Sequence, residues 1–133
     1  MAGSLAGVWK KLNYKSQDPV LVVNAPGSFK AELTELAGFG AEVHASPKAG
    51  VRYGFILAFA RDAAELEKVA DLCLPCMADG AVLWFGFPKQ SSKTLKSDIN
   101  RDRVWEILAP RGIQPNRNVA LDDDWSVLRF RRA

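Results

Sequence analysis

"GFILAFARDAAELEKVADLCLPCM", residues 54–77, passes from an unbroken apolar run into a segment of helical periodicity. Residues 54–60 are apolar throughout and show no alternation, the pattern of a strand covered on both faces. Asp62 then stands three residues ahead of Glu65, a capping-box signature, and Leu66, Val69 and Cys73 recur on one helical stripe. A strand buried on both faces and feeding a helix is the repeating unit of a parallel α/β sheet.

The same pattern repeats on either side. Upstream, "VLVVN" (20–24) is an apolar, β-branched run turned by "APGS", and "SFKAELTELAG" (28–38) reads as a helix. Ser28 is its expected N-cap and Gly38 stands at its expected C′ position. "AEVHA" (41–45) reads as a second short strand, and "SPKAGVRY" (46–53) as a loop. Before all of these, "SLAGVWKKLNY" (4–14) spaces Leu5, Val8, Trp9 and Leu12 at helical intervals, and Asp18–Pro19 breaks the chain.

Downstream, Gly80 restarts the chain into "AVLWF" (81–85), a fourth strand that ends in the polar loop "GFPKQSSK" (86–93). "NRDRVWEILAPRG" (100–112) follows as a helix capped by Asn100, with Val104, Ile107 and Leu108 on one stripe. "IQPNRNVAL" and "WSVLRFRR" then flank the aspartates at 122–124. The second run alternates, with Leu128 and Phe130 on one face and Arg129 and Arg131 on the other, as in a hairpin with one wet face. The expected fold is therefore a three-layer, Rossmann-like α/β domain spanning residues 1–133. Its mostly parallel sheet has about six strands, ordered 2-1-3-4 plus a C-terminal antiparallel hairpin.

Composition narrows the function classes. The net charge of +3 divides unevenly, with 8 Lys/Arg against 9 Asp/Glu in residues 1–88 and 10 against 6 in residues 89–133. The basic third suggests an anionic ligand or partner. Arg101, Arg103, Arg117, Arg129, Arg131 and Arg132 would form its basic face, but no nucleic-acid recognition motif accompanies them, so nucleic acid is the weaker reading. No apolar run reaches the ~20 residues that span a bilayer, and no membrane role is expected. The N-terminal lysines follow a short apolar stretch, the reverse of a secretory signal, so a cytoplasmic location is expected.

Cys73 and Cys76 form a C-x-x-C pair, but at the end of a helix rather than at the N-terminus, where a dipole would lower a thiol pKa. They read as inert cysteines. With His44 they cannot complete a four-ligand zinc site, and neighbouring acids at 122–124 diverge too far to share one ion, so no metal is expected. His44 lacks both a nucleophile to serve and an acid to orient it, and the serines of "PKQSSK" have only lysines for a base. No catalytic residue is assigned.

In sheets of this kind ligands bind beyond the C-terminal ends of the strands, where the strand order reverses. That places "NAPGS", Arg61–Asp62 and the loop after the fourth strand on one rim. Asn24, Gly27, Ser28, Lys89, Ser91, Ser92 and Lys93 are the candidate ligand-binding residues. The lysines and hydroxyls would meet an anion, and the backbone near Gly27 would add the positive end of a helix dipole.

The segments "KKLNYK", "VLVVNAP", "FILAFARDAAELEKV", "GAVLWFGFPKQSS", "SDINRDRVWEILAPRGI" and "VALDDDWSVLRFRR" together give the chain a resemblance to a bacterial domain-of-unknown-function family. That family has a Rossmann-like, class I methyltransferase-like pattern. The resemblance implies the fold and no particular activity. The residues do not follow the cofactor pattern of methyltransferases: the first strand ends in a turn with a single glycine, and the second ends without an acid for a ribose. No cofactor is expected. The leading expectation is a non-catalytic binding or regulatory module for an anionic small molecule or a protein partner at the rim. The alternative is a degenerate or truncated methyltransferase-like transferase.

Overall fold

The computed structural model describes residues 8–15, 17–38, 40–89, 100–121 and 124–132. Six strands form one sheet: β1 (Val20–Val23), β2 (Val43–His44), β3 (Tyr53–Phe59), β4 (Met77–Pro88), β5 (Ile113–Ala120) and β6 (Trp125–Arg132). Their order is β2-β1-β3-β4-β6-β5, with β1 to β4 mutually parallel and the β5–β6 hairpin antiparallel to β4. The expected order is thus observed, with β6 rather than β5 joined to β4. The sheet belongs to the mixed α/β, Rossmann-like class.

Helices α1 (Val8–Lys11) and α2 (Lys30–Gly38) cover one face, and α3 (Ala63–Cys73) and α4 (Arg101–Leu108) cover the other. All four residues of β1 are buried, as are residues 55–59 of β3, which is what the unbroken apolar runs require. α3 begins where its capping signal stands: the Asp62 carboxylate accepts from the Glu65 amide at 2.8 Å, and Glu65 Oε1 accepts from the Arg61 amide at 2.9 Å. Asn100 caps α4 in the same way, accepting from the Arg103 amide at 2.9 Å.

Several expectations are corrected. Ser28 does not stand at the N-cap position of α2. It lies within a 3-10 turn, Gly27–Phe29, that precedes α2, and Pro26 occupies the cap position without a side-chain hydrogen bond. The C′ residue of α2 is Gly40 (φ +110°), not Gly38. The Gly40 amide donates to Ala37 O at 3.1 Å and the Ala41 amide to Leu36 O at 3.4 Å, which is the Schellman pairing.

β4 also starts earlier than "AVLWF". Its residues Met77 and Val82 pair with Tyr53 and Phe55, so an excess of residues bulges out of β4 around Gly80, whose φ is +72°. Tyr53 opens β3 rather than closing a loop. The hairpin has two wrapped faces at its start, because Trp125 and Val127 join the α1/α2 core while Leu128 and Phe130 join the other. Its wet face begins only at Arg129. No described helix is long and apolar enough to cross a membrane.

Candidate functional site at the C-terminal rim

The chain leaves β1 for α2 on one face and leaves β3 for α3 on the opposite face, so the direction of winding reverses between β1 and β3. Asn24 terminates β1 in the left-handed region, φ +57°. Asparagine tolerates that conformation better than most residues because its short side chain hydrogen-bonds locally. The reversal brings Ala25 and Pro26 across the strand end and exposes Gly27 at the head of the 3-10 turn. A Cβ on Gly27 would meet nothing within 4 Å, so the backbone there is open to approach. The Gly27 amide has no acceptor among the described residues, and Pro26 has no amide to offer.

Lys89 follows β4 and is half-buried, with its amide donating to Asp124 O at 2.7 Å. The register Phe59↔Gly86 places it three residues beyond the row of Asn24 and two strands away. That is about 14 Å between Cα atoms by ordinary strand spacings. Asn24 and Gly27 therefore form one cluster and Lys89 a separate point. Ser91, Ser92 and Lys93 lie outside the described residues, as does the Ser28 side chain. Between the two points the α1/α2 face is filled: the Phe59 ring centre lies 5.2 Å from that of Trp125, edge-on, and 5.3 Å from that of Phe29, tilted. A Cβ on Gly86 would meet Phe59 Cδ2 at 2.8 Å.

His44 is not at the rim. It pairs with Leu21, in the lower rows of the sheet. It is buried, its Nδ1 lies 2.5 Å from the Tyr53 hydroxyl, and its Nε2 meets the carboxylate of exposed Glu42. That hydrogen bond, and then the charge of the ring, hold the Glu42 carboxyl below its usual range. The Tyr53 hydroxyl also accepts from the Lys48 amide at 3.2 Å. The set ties the β2–β3 loop to the sheet, and Glu42 corrects the expectation that no acid orients the histidine. Sequence reasoning missed it because Tyr53 was placed in a loop. The aromatic residue at the start of an apolar run was the available signal.

Cys73 is buried and its thiol is pushed up to about 12 by that burial. Burial raises Cys76 as well. Neither thiol is in a disulfide, and a neutral, buried thiol is a poor nucleophile. Among the described residues no group of three or more His, Cys, Asp or Glu side chains could hold a metal ion.

Solved structures similar to this chain include several methyltransferases. Ribosomal protein L11 methylase from Lactobacillus delbrueckii subsp. bulgaricus superposes with a TM-score of 0.58 at 12% identity, over 92% of this chain and 73% of that one. The glycopeptide N-methyltransferase MtfA gives 0.62 at 11% identity, over 94% and 88%. The pyocyanin biosynthetic protein PhzM gives 0.61 at 14% identity, over 95% of this chain but only 53% of its own length. These likenesses show a Rossmann-like α/β fold of the kind found in those methyltransferases. No family model and no curated protein sequence matches the chain.

Proposed function

We propose that this chain uses a methyltransferase-like fold as a binding frame for an anionic small molecule, without methyl transfer. The observation that carries the reading is the turn after β1. A left-handed Asn24 delivers an open Gly27, with its amide unengaged among the described residues, to the reversal point of the sheet. An amide at the head of a helical turn favours negative charge.

The residues present do not fit S-adenosylmethionine in the manner of the fold. A ribose requires a carboxylate at the end of β2. Here β2 is two residues long and ends in His44, and the nearby acid, Glu42, precedes the strand and is engaged by that histidine. The turn after β1 also has one glycine where close approach to a cofactor favours several. Fold likeness to methyltransferases supports the other reading, a transferase that has lost its donor site.

The distance to Lys89 sharpens the ligand. A single phosphate at Gly27 leaves Lys89 untouched, whereas a nucleotide-sized anion reaches towards it. A 1H–15N titration with inorganic phosphate is expected to shift the amides of residues 24–29 alone. ATP is expected to shift these and Lys89. The reading is lost if neither probe perturbs residues 24–29 saturably. Saturable shifts with S-adenosylmethionine at the ends of β1 and β2 would replace it with the transferase reading.

A further inference from the structure

A second feature lies at the opposite end of the sheet. A cleft of about 270 Å³ opens between the β4 bulge and the hairpin, lined by Met77, Asp79, Gly80, Ala81, Asn116, Arg129 and Arg131. Arg129 and Arg131 are two apart on β6 and so project from the same face of the sheet. Arg129 pairs in register with Trp84 on β4 and with Arg117 on β5. Cationic side chains placed directly opposite one another across two strands repel.

Among the described residues no ion pair neutralises these cations. Asp79, Arg117, Arg129 and Arg131 form no ion pair within 4 Å among the described residues, although other arginines do: Arg111 meets Asp71 at 3.1 Å and Arg103 meets Glu106 at 3.5 Å. Arg131 is nevertheless held in place. With the Gln114 amide turned so that its oxygen faces the guanidinium, that oxygen accepts from Nε at 3.3 Å and from Nη2 at 3.1 Å. Arg129 is half-buried, and its guanidinium makes no hydrogen bond among the described residues.

Backbone geometry opens the site from two sides. Asn116 is the extra residue where the β5–β6 register shifts between Pro115 and Arg117. Gly80, at φ +72°, turns the β4 bulge away from the ladder, and a Cβ there would meet nothing within 4 Å. Bulges commonly re-aim side chains in this way beside binding sites.

We propose that this cleft binds a small oxyanion, a phosphate or carboxylate group on a hydroxyl-bearing molecule. The guanidinium groups of Arg129 and Arg131 would hold the anion, and the Asp79 carboxylate would accept from the hydroxyl. Guanidinium forks suit this chemistry because they engage two oxygens of one anion at once. The volume falls just below the range of about 300–1,000 Å³ typical of small-molecule sites, which favours a small anion or the head of a larger one. The site is separate from the rim and does not depend on it.

The test is a 1H–15N titration of the full chain with glycerol 3-phosphate and, in parallel, glycerate. Saturable shifts at Gly80, Arg129 and Arg131 are expected, without shifts at residues 24–29. A response to the phosphate alone assigns the oxyanion as phosphate, and an equal response to both assigns it as any oxyanion. The double variant Arg129→Gln/Arg131→Gln is expected to weaken binding at least tenfold while keeping the remaining spectrum. Undiminished affinity in that variant overturns the proposal, as does a wild-type titration without saturable shifts at the cleft. Should the variant fail to fold, the wild-type Arg129 Nε–Hε resonance decides, and its failure to move with either ligand overturns the proposal.

Discussion

The two faces of the sheet are covered by different chemistry. On the α3/α4 side the helices supply an aliphatic stripe of Leu66, Val69, Ala70, Val104 and Leu108, and each helix begins at a side-chain cap. On the α1/α2 side the helices are less able to cover a sheet. Four residues of α1 are described, and α2 is entered through an uncapped 3-10 turn and buries Leu36 alone among the described residues. Sheet rings lie on both faces, Tyr53, Phe85, Phe87 and Phe130 on the α3/α4 side and Phe55, Phe59, Trp84 and Trp125 on this one, but here Trp9 of α1 and Phe29 of the turn before α2 are buried with them. Trp9 lies edge-on to Tyr14, Phe29 and Phe55 at 5.5–5.9 Å. Two indoles also act as pins, since Trp9 Nε1 donates to Glu32 O and Trp84 Nε1 to Leu12 O, each at 2.9 Å. The sheet sends rings to both faces; what distinguishes the α1/α2 face is that its covering segments contribute rings of their own.

The sharpest way to break this contrast is Trp84→Ala. It removes a fully buried ring and leaves the Leu12 carbonyl without its donor, a loss of about 4 kcal/mol in urea unfolding. Amide exchange in residues 9–12 should accelerate more than exchange in α3. Equal acceleration in both would show that the indole does not pin α1.

The next effect belongs to the aliphatic face and is read by pH. An unfolded cysteine ionises near 8.5, while Cys73 in the fold ionises only near 12. Its contribution is therefore complete below about pH 8.5 and is lost as pH rises towards 12, reaching about 2 kcal/mol of lost stability at pH 10. Cys73→Ala should flatten that part of the stability profile. A profile of unchanged slope would mean that the thiol is not the group concerned. The smallest effect is Asp62→Ala, which removes the α3 cap for about 1 kcal/mol with little change on the aromatic face. A loss near zero would assign the helix start to packing rather than to the cap.

Much of this architecture was legible in the sequence. The unbroken runs at 20–24 and 54–60 gave the central strands, and Asp62 and Asn100 fixed two helix starts, because these signals are local and physically redundant. The hairpin was legible from the alternation of Leu128–Arg131, but not the double wrapping of Trp125 and Val127, which depends on how far the helices extend over it. Ser28 was misread because Pro26 sets up a 3-10 turn ahead of the helix. The β4 bulge was hidden because Gly80 looked like a break between elements, whereas it is a left-handed residue within one. For the candidate site, the sequence placed Asn24, Gly27 and Lys89 beyond the correct strand ends. It could not give the lateral distance between them, because that distance depends on strand order and register.

One consequence of the strand order concerns self-association in concentrated solution. The segment Tyr53–Phe59 is an uncharged, largely apolar strand, of the kind that stacks into fibrils when its backbone is free. It sits in the interior of the sheet, with β1 on one side and β4 on the other. The outermost positions fall to β2, which is only two residues long, and to β5, which carries Pro115, a bulge at Asn116 and the exposed Arg117. Shortness, proline, irregular register and charge are the devices that blunt an edge against growth by strand addition. Placed in this way, an apolar heptapeptide is shielded by neighbours whose own outer edges offer little for another copy to extend.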